Sequence, residues 1–346
     1  MRKIVIIIVL ILLFVEPVGA TAFTPPEAPK NIEYLMPDET SNFGEGLWYI
    51  LSESLEKLQP SFVKAIRISV SLLLISLLVG LFSELASNVR TAIECIGSIT
   101  VGVILFQPVN AFIQLGTETV TQISQYGNLL LPVMSGALAA QGAVTKSGAI
   151  YAATVLFDAL LSTAISQLLI PLVYVYLCVS VTCNVFSQPL LMQMRKSLKW
   201  IMTWGLKIIL YVFTGYISIT GVVGGTTDAT MLKATKLAIS GMVPVVGNII
   251  SDASEAVLVS AGVMKNAVGI YGLLVIASIW IGPFLQIGIQ YILLKVTSGI
   301  CEMFAVKQIS GLIKDFSSAM GLVLAMTGSV CMMFLISTIC FMKGVA

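Results

Sequence analysis

The stretch SGMVPVVGNIISDASEAVLVSAGVMK, residues 240–265, decides how the chain must be read. Its apolar content is that of a membrane segment, yet Asp252 and Glu255 stand three residues apart inside it. On a helix Asn248, Ser251, Asp252 and Glu255 fall at i, i+3, i+4 and i+7, one polar stripe. Val246, Ile249, Ile250, Ala253 and Val257 fall on another side. Upstream, Lys233, Lys236 and Ser240 form a second polar stripe on an expected helix from Asp228 to Met242. Between the two lies Pro244, which removes an amide donor and ends or kinks a helix, with Gly247 beside it as a candidate hinge. A lone charge at the centre of a bilayer costs at least ~2.5 kcal/mol. The stripe therefore belongs to a proline-broken amphipathic helical pair that lines a watery path or forms a re-entrant hairpin inside the bundle, lies at the interface, or pairs with Lys233 or Lys236 as structural glue.

The surrounding chain makes lipid the relevant solvent. With 346 residues, 57% of them hydrophobic and only 10% charged, it has more apolar surface than a globular interior can hide. The expected fold is all-α and polytopic. A net charge of +2, with no basic run interleaved with aromatics, speaks against nucleic-acid binding. The absence of histidine removes imidazole acid–base chemistry, Ser-His-Asp and Cys-His nucleophiles, and most zinc and iron ligand sets. No cofactor, metal or catalytic residue is expected. The six cysteines lie in or beside apolar runs without a CxxC and read as small hydrophobes.

Residues 1–22 have the pattern of a cleaved signal peptide. Arg2 and Lys3 precede an apolar run from Ile4 to Val15, and Ala20-Thr21-Ala22 fits the small-residue cleavage rule; an uncleaved anchor is the rival. Residues 23–43 are Pro-rich and polar, an extended linker. An amphipathic helix from about Gly44 to Gln59 follows, with Asn42 and Glu45 at capping-box spacing, placed on the outer membrane surface or on a partner. The domain from 64 to 346 is multi-span. Apolar runs place about eight spans near 64–82, 95–115, 129–145, 147–168, 170–187, 200–221, 267–294 and 317–342.

Loop charge orients them. Residues 117–128, TETVTQISQYGN, carry no Lys or Arg and are expected outside. Residues 188–199 hold Arg195, Lys196 and Lys199, residues 295–315 hold Lys295, Lys307 and Lys314, and both are expected in the cytoplasm. Lys64, Arg67, Lys233 and Lys236 break this pattern. Asp158 interrupts an apolar run with no sequence neighbour to pair with, so it is a functional candidate unless its span ends early. Ser135, Ala139, Ala143 and Ser147 form a small-residue ridge suited to close packing. The run Gly221-Val-Val-Gly224-Gly225 lacks the Gly-Lys-Ser/Thr ending of a nucleotide loop and reads as a flexible turn. LLLPVMSGALAAQGAVTKSGAIYA (129–152) weakly echoes residues 241–272, a pattern of duplicated transport folds.

The run TGYISITGVVGGTTDATMLKATKLAISGMVPVVGNIISDASEAVLVSAGVMKNAVGIYG (214–272) resembles the stage III sporulation protein AE family of endospore-forming bacteria. The resemblance extends over essentially the whole chain. It implies a polytopic, non-enzymatic component of a channel complex in the mother-cell membrane around the forespore. The implied partners are the proteins encoded with it, an ATPase-like cytoplasmic subunit among them, and a forespore-side channel protein reached through the complex. Homo- or hetero-oligomers follow from that setting. Its implied role is to sustain forespore development and late forespore gene expression. From the residues alone a stand-alone secondary transporter stays open, with Asp158, Asp252 and Glu255 as ion or proton sites, as does a purely structural scaffold.

Overall fold

A computed structural model describes residues 24–37, 43–186, 188–242, 247–303 and 307–343; for Ser87, 220–242, 247–261 and Met264 it describes the backbone alone. Among these residues no strand occurs. In a medium that offers backbone groups no water, an unbroken helix satisfies every amide within one segment. The elements are α1 (Phe43–Glu56), α2 (Gln59–Leu85), α3 (Arg90–Ala140), α4 (Val144–Thr163), α5 (Ile170–Phe186), α6 (Pro189–Met242), α7 (Gly247–Glu302) and α8 (Lys307–Met342). A π-helical turn, Ala164–Leu169, joins α4 to α5.

Six helical runs among the described residues are long and apolar enough to cross a membrane, where about eight spans are expected from apolar runs. Two expected pairs have fused. Spans 95–115 and 129–145 and the polar stretch between them form one helix of 51 residues. The expected outer loop at 117–128 is helical, because Glu and Gln favour helix and burial of Val120, Ile123 and Tyr126 against neighbouring helices outweighs the weaker preference of its threonines. Spans 147–168 and 170–187 likewise form one run through the π turn, which stands just before Pro171, a residue with no amide to give the preceding turn. The basic stretch 188–199 is helical from Pro189, and the expected flexible turn at Gly221–Gly225 lies within α6.

The helices run alternately up and down one long bundle. Gly97, Gly116 and Gly127 of α3 face Ile309, Val323 and Phe334 of α8, which sets these two helices parallel. Gly272 and Gly262 of α7 meet Leu130 and Gln141, so α7 runs the other way. The glycines leave no Cβ in the contact, and the helix pairs approach closely there. The core threads the bundle from Val101 and Leu312 at one end to Met134 and Phe341 at the other.

At the turn between α3 and α4, Gly142 takes φ 87°, a conformation that L side chains resist. Across that turn Ser147 Oγ donates to the Ser135 carbonyl at 2.6 Å. The expected Ser135–Ser147 ridge is therefore split between two helices, and its close packing is across a hairpin. The Pro-rich segment is docked rather than free: Ile32 and Leu35 are buried, and Asn31 Nδ2 donates to Gln122 Oε1 at 3.2 Å. Helix α1 lies on the chain's own α7, with Gly46 against Leu274 and Ile50 wholly buried. Its outer side carries the Glu53–Lys57 pair at 3.0 Å.

Candidate functional site

Helix α3 shows how the bundle meets its surroundings. Its outward residues are mostly apolar over the first part, Ile96, Ile99, Val103 and Phe106 with Thr100 and Gln107 among them, then mostly polar, Gln114, Glu118, Thr121, Gln125 and Asn128, with Leu129 exposed beyond them and Leu156 and Leu160 exposed on α4. At 1.5 Å per residue the helix is about 77 Å long, against a hydrocarbon core of roughly 30 Å. The apolar stripe suits lipid and the polar stripe suits water. The change falls between Phe106 and Gln114.

Asp158 belongs to the polar level. It is 4% exposed, and its carboxylate accepts from Ser124 Oγ at 2.7 Å and Asn128 Nδ2 at 3.1 Å. Ser124 and Asn128 lie four apart on α3 and so present both donors to one face. A groove of about 500 Å³ between α3 and α4 opens here, lined also by Thr121, Gln125, Tyr151 and Ser162. Among the described residues no basic residue lines it. The donors were hidden from sequence reasoning because 117–128 reads as a loop; their i, i+4 spacing was the available signal.

A second site escaped the sequence reading altogether. Asp315, near the start of α8, accepts from Arg195 Nη1 at 2.6 Å, Asn184 Nδ2 at 3.1 Å and Tyr176 OH at 3.2 Å. Three helices thus converge on one carboxylate, at the end where both expected cytoplasmic stretches meet. The pair borders a cleft of about 680 Å³. Lys314-Asp315, a charged pair opening an apolar run, is the only trace of it in the sequence.

At the opposite end the two lysines of the sequence echo are both buried. Lys146 (7% exposed) donates to the Lys343 carbonyl at 3.1 Å, and Lys265 (2% exposed) donates to Gln141 Oε1 at 2.6 Å. Both helices that carry them run opposite to α3. Snorkelling does not explain side chains so covered; each ammonium is held by an oxygen acceptor.

Among the described side chains, Asp158 is the one expected site residue that can be placed. Helix α6 is described to Met242 and α7 from Gly247, and the backbone of the expected helix from Asp228 to Met242 is helical. The side chains of Lys233, Lys236, Asn248, Ser251, Asp252 and Glu255, and Pro244 itself, lie outside the described residues, as does the expected signal peptide. Of the cysteines, Cys183, Cys301 and Cys331 are buried, Cys95 and Cys340 half-buried and Cys178 exposed; all six are free. No group of three or more metal-ligating side chains occurs among the described residues.

Comparison with known proteins gives a consistent answer. The family described as stage III sporulation protein AE matches residues 35–344. A protein of Bacillus subtilis (strain 168) named stage III sporulation protein AE is 26% identical over 196 residues, 55% of this chain. That match spans about half of the relative's own length, 48%. No solved structure matches. With nearly its whole length covered by the family, this chain belongs to the stage III sporulation protein AE family.

Proposed function

We propose that the chain is a non-enzymatic integral membrane component of a sporulation channel complex in the mother-cell membrane around the forespore. There it supports forespore development and late forespore gene expression. The observation that carries this reading is the switch along α3 from an apolar to a polar outward face. A bundle of this build crosses lipid with one part and stands in the aqueous intermembrane space with the other. Residues 1–22 are a signal peptide, removed to leave the N-terminus outside, and residues 64–346 are the membrane domain. The end holding Arg195, Lys196, Lys199, Lys307 and Lys314 faces the cytoplasm, where an ATPase-like partner docks.

On this reading Asn248, Ser251, Asp252 and Glu255 meet water or a neighbouring subunit at the outer end, with Lys233 and Lys236 nearby and Pro244 and Gly247 allowing the break. The double variant Asp252→Ala/Glu255→Ala is expected to abolish sporulation while the protein still co-purifies with the other membrane proteins of the complex. Normal sporulation by that variant would remove the polar-route assignment.

One observation favours a second reading, a stand-alone secondary transporter: Asp158 is a buried acid in a polar groove that no basic residue lines among the described residues. Purified chain in liposomes should then carry an ion flux that Asp158→Asn abolishes. A component dependent on partners gives none.

A further inference from the structure

The cleft beside Asp315 is lined by five basic residues, Arg195, Lys196, Lys199, Lys307 and Lys314, against two acids, Glu302 and Asp315. Both acids are engaged within the protein. Asp315 takes the donors of Arg195, Asn184 and Tyr176, and Glu302 Oε1 accepts from Ser310 Oγ at 3.3 Å. Lys199 Nζ reaches Ser318 Oγ at 3.1 Å. Lys196, Lys307 and Lys314 have no carboxylate within ion-pair distance among the described residues. The cleft therefore keeps a surplus of positive charge around a guanidinium whose orientation is fixed. Helix α8 begins at Lys307, and the positive end of its dipole adds to the same field.

The flank of the cleft tells what comes to it. Trp200 and Trp204, the next turns of α6, are 61% and 44% exposed, and Leu190, Met192 and Met194 precede them with their side chains also outward. Exposed tryptophans beside lysines mark the level where headgroups meet hydrocarbon. A basic pocket between membrane helices at that level has the chemistry for an anionic headgroup.

We propose that this cleft binds the phosphate of an anionic phospholipid, phosphatidylglycerol or a relative, with Arg195 held by Asp315 as the fork and Lys196, Lys307 and Lys314 as the surrounding charges. The proposal rests on the reading that the basic end lies at the cytoplasmic membrane face. Binding in detergent does not depend on orientation, so the two can fail separately.

The experiment uses the full chain purified in a neutral detergent and titrated with phosphatidylglycerol or phosphatidylcholine. Native mass spectrometry counts retained lipid, and the thermal midpoint gives an independent reading. Selective retention of phosphatidylglycerol is expected, weakened about five-fold for each lysine removed in Lys196→Gln/Lys307→Gln/Lys314→Gln. The three Lys→Arg changes should preserve it. Should the triple variant purify poorly, the exposed single variant Lys314→Gln serves alone. Lysine-dependent thermal stabilisation by inorganic phosphate without retention of phosphatidylglycerol would overturn the lipid and assign the cleft to a soluble phosphate-bearing ligand. Equal retention by wild type and variants overturns the proposal. So does lysine-dependent binding of a polyglutamate peptide without any of phosphatidylglycerol, which would make the cleft a protein-docking surface.

Discussion

Asp315 and Asp158 are both buried acids, but they are satisfied differently. Asp315 has a guanidinium at 2.6 Å and two neutral donors; Asp158 has two neutral donors and, among the described residues, no cation in its groove. Removing one partner of a covered ion pair strands the other, whereas removing both restores an apolar contact. Asp315→Ala is therefore expected to cost about 1–3 kcal/mol, because the pair is only partly shielded from solvent. Asp315→Ala/Arg195→Met should recover much of that loss. Thermal unfolding of the two variants in detergent checks it, and equal destabilisation would show that a guanidinium left without Asp315 costs nothing. Asp158 was legible in the sequence because one acid in YAATVLFDALLSTAIS has nowhere to go but the interior. Its donors and the whole Asp315 cluster were not, since they are assembled from helices 30 to 139 residues apart.

At the scale of elements, apolar periodicity located nearly every helix but misjudged where helices stop. The stretch 117–128 reads as a loop because hydropathy falls there. It is helical because α8 and α4 cover its inner face, with Val120, Ile123 and Tyr126 buried while Thr121 and Gln125 point outward. Polarity reported the surroundings of the helix, not its end. A proline separates the possibilities. Gln125→Pro is tolerated in a loop but removes an intrahelical bond here, at about 3 kcal/mol or more. The expected result is loss of folded protein on size-exclusion chromatography in detergent, while Gln125→Ala behaves as wild type. Equal behaviour of the two variants would reinstate the loop. The break expected at Pro244 lies outside the described residues.

At the scale of the molecule, the proposed function divides one bundle into a lipid-facing part with a basic end and a water-facing part with the Asp158 groove. The all-helical, membrane-directed class followed directly from composition. The division did not, because it depends on which side of each helix is left uncovered. It is tested most directly by cysteine accessibility in sporulating cells, with the natural cysteines replaced and one new cysteine placed per variant. Glu118→Cys and Gln125→Cys should react with a membrane-impermeant maleimide applied to the mother-cell membrane's outer face, Val103→Cys should resist it, and Lys196→Cys and Lys314→Cys should react only when the cytoplasm is opened. Labelling of Lys314→Cys from outside, or protection of Gln125→Cys under both conditions, would contradict the arrangement.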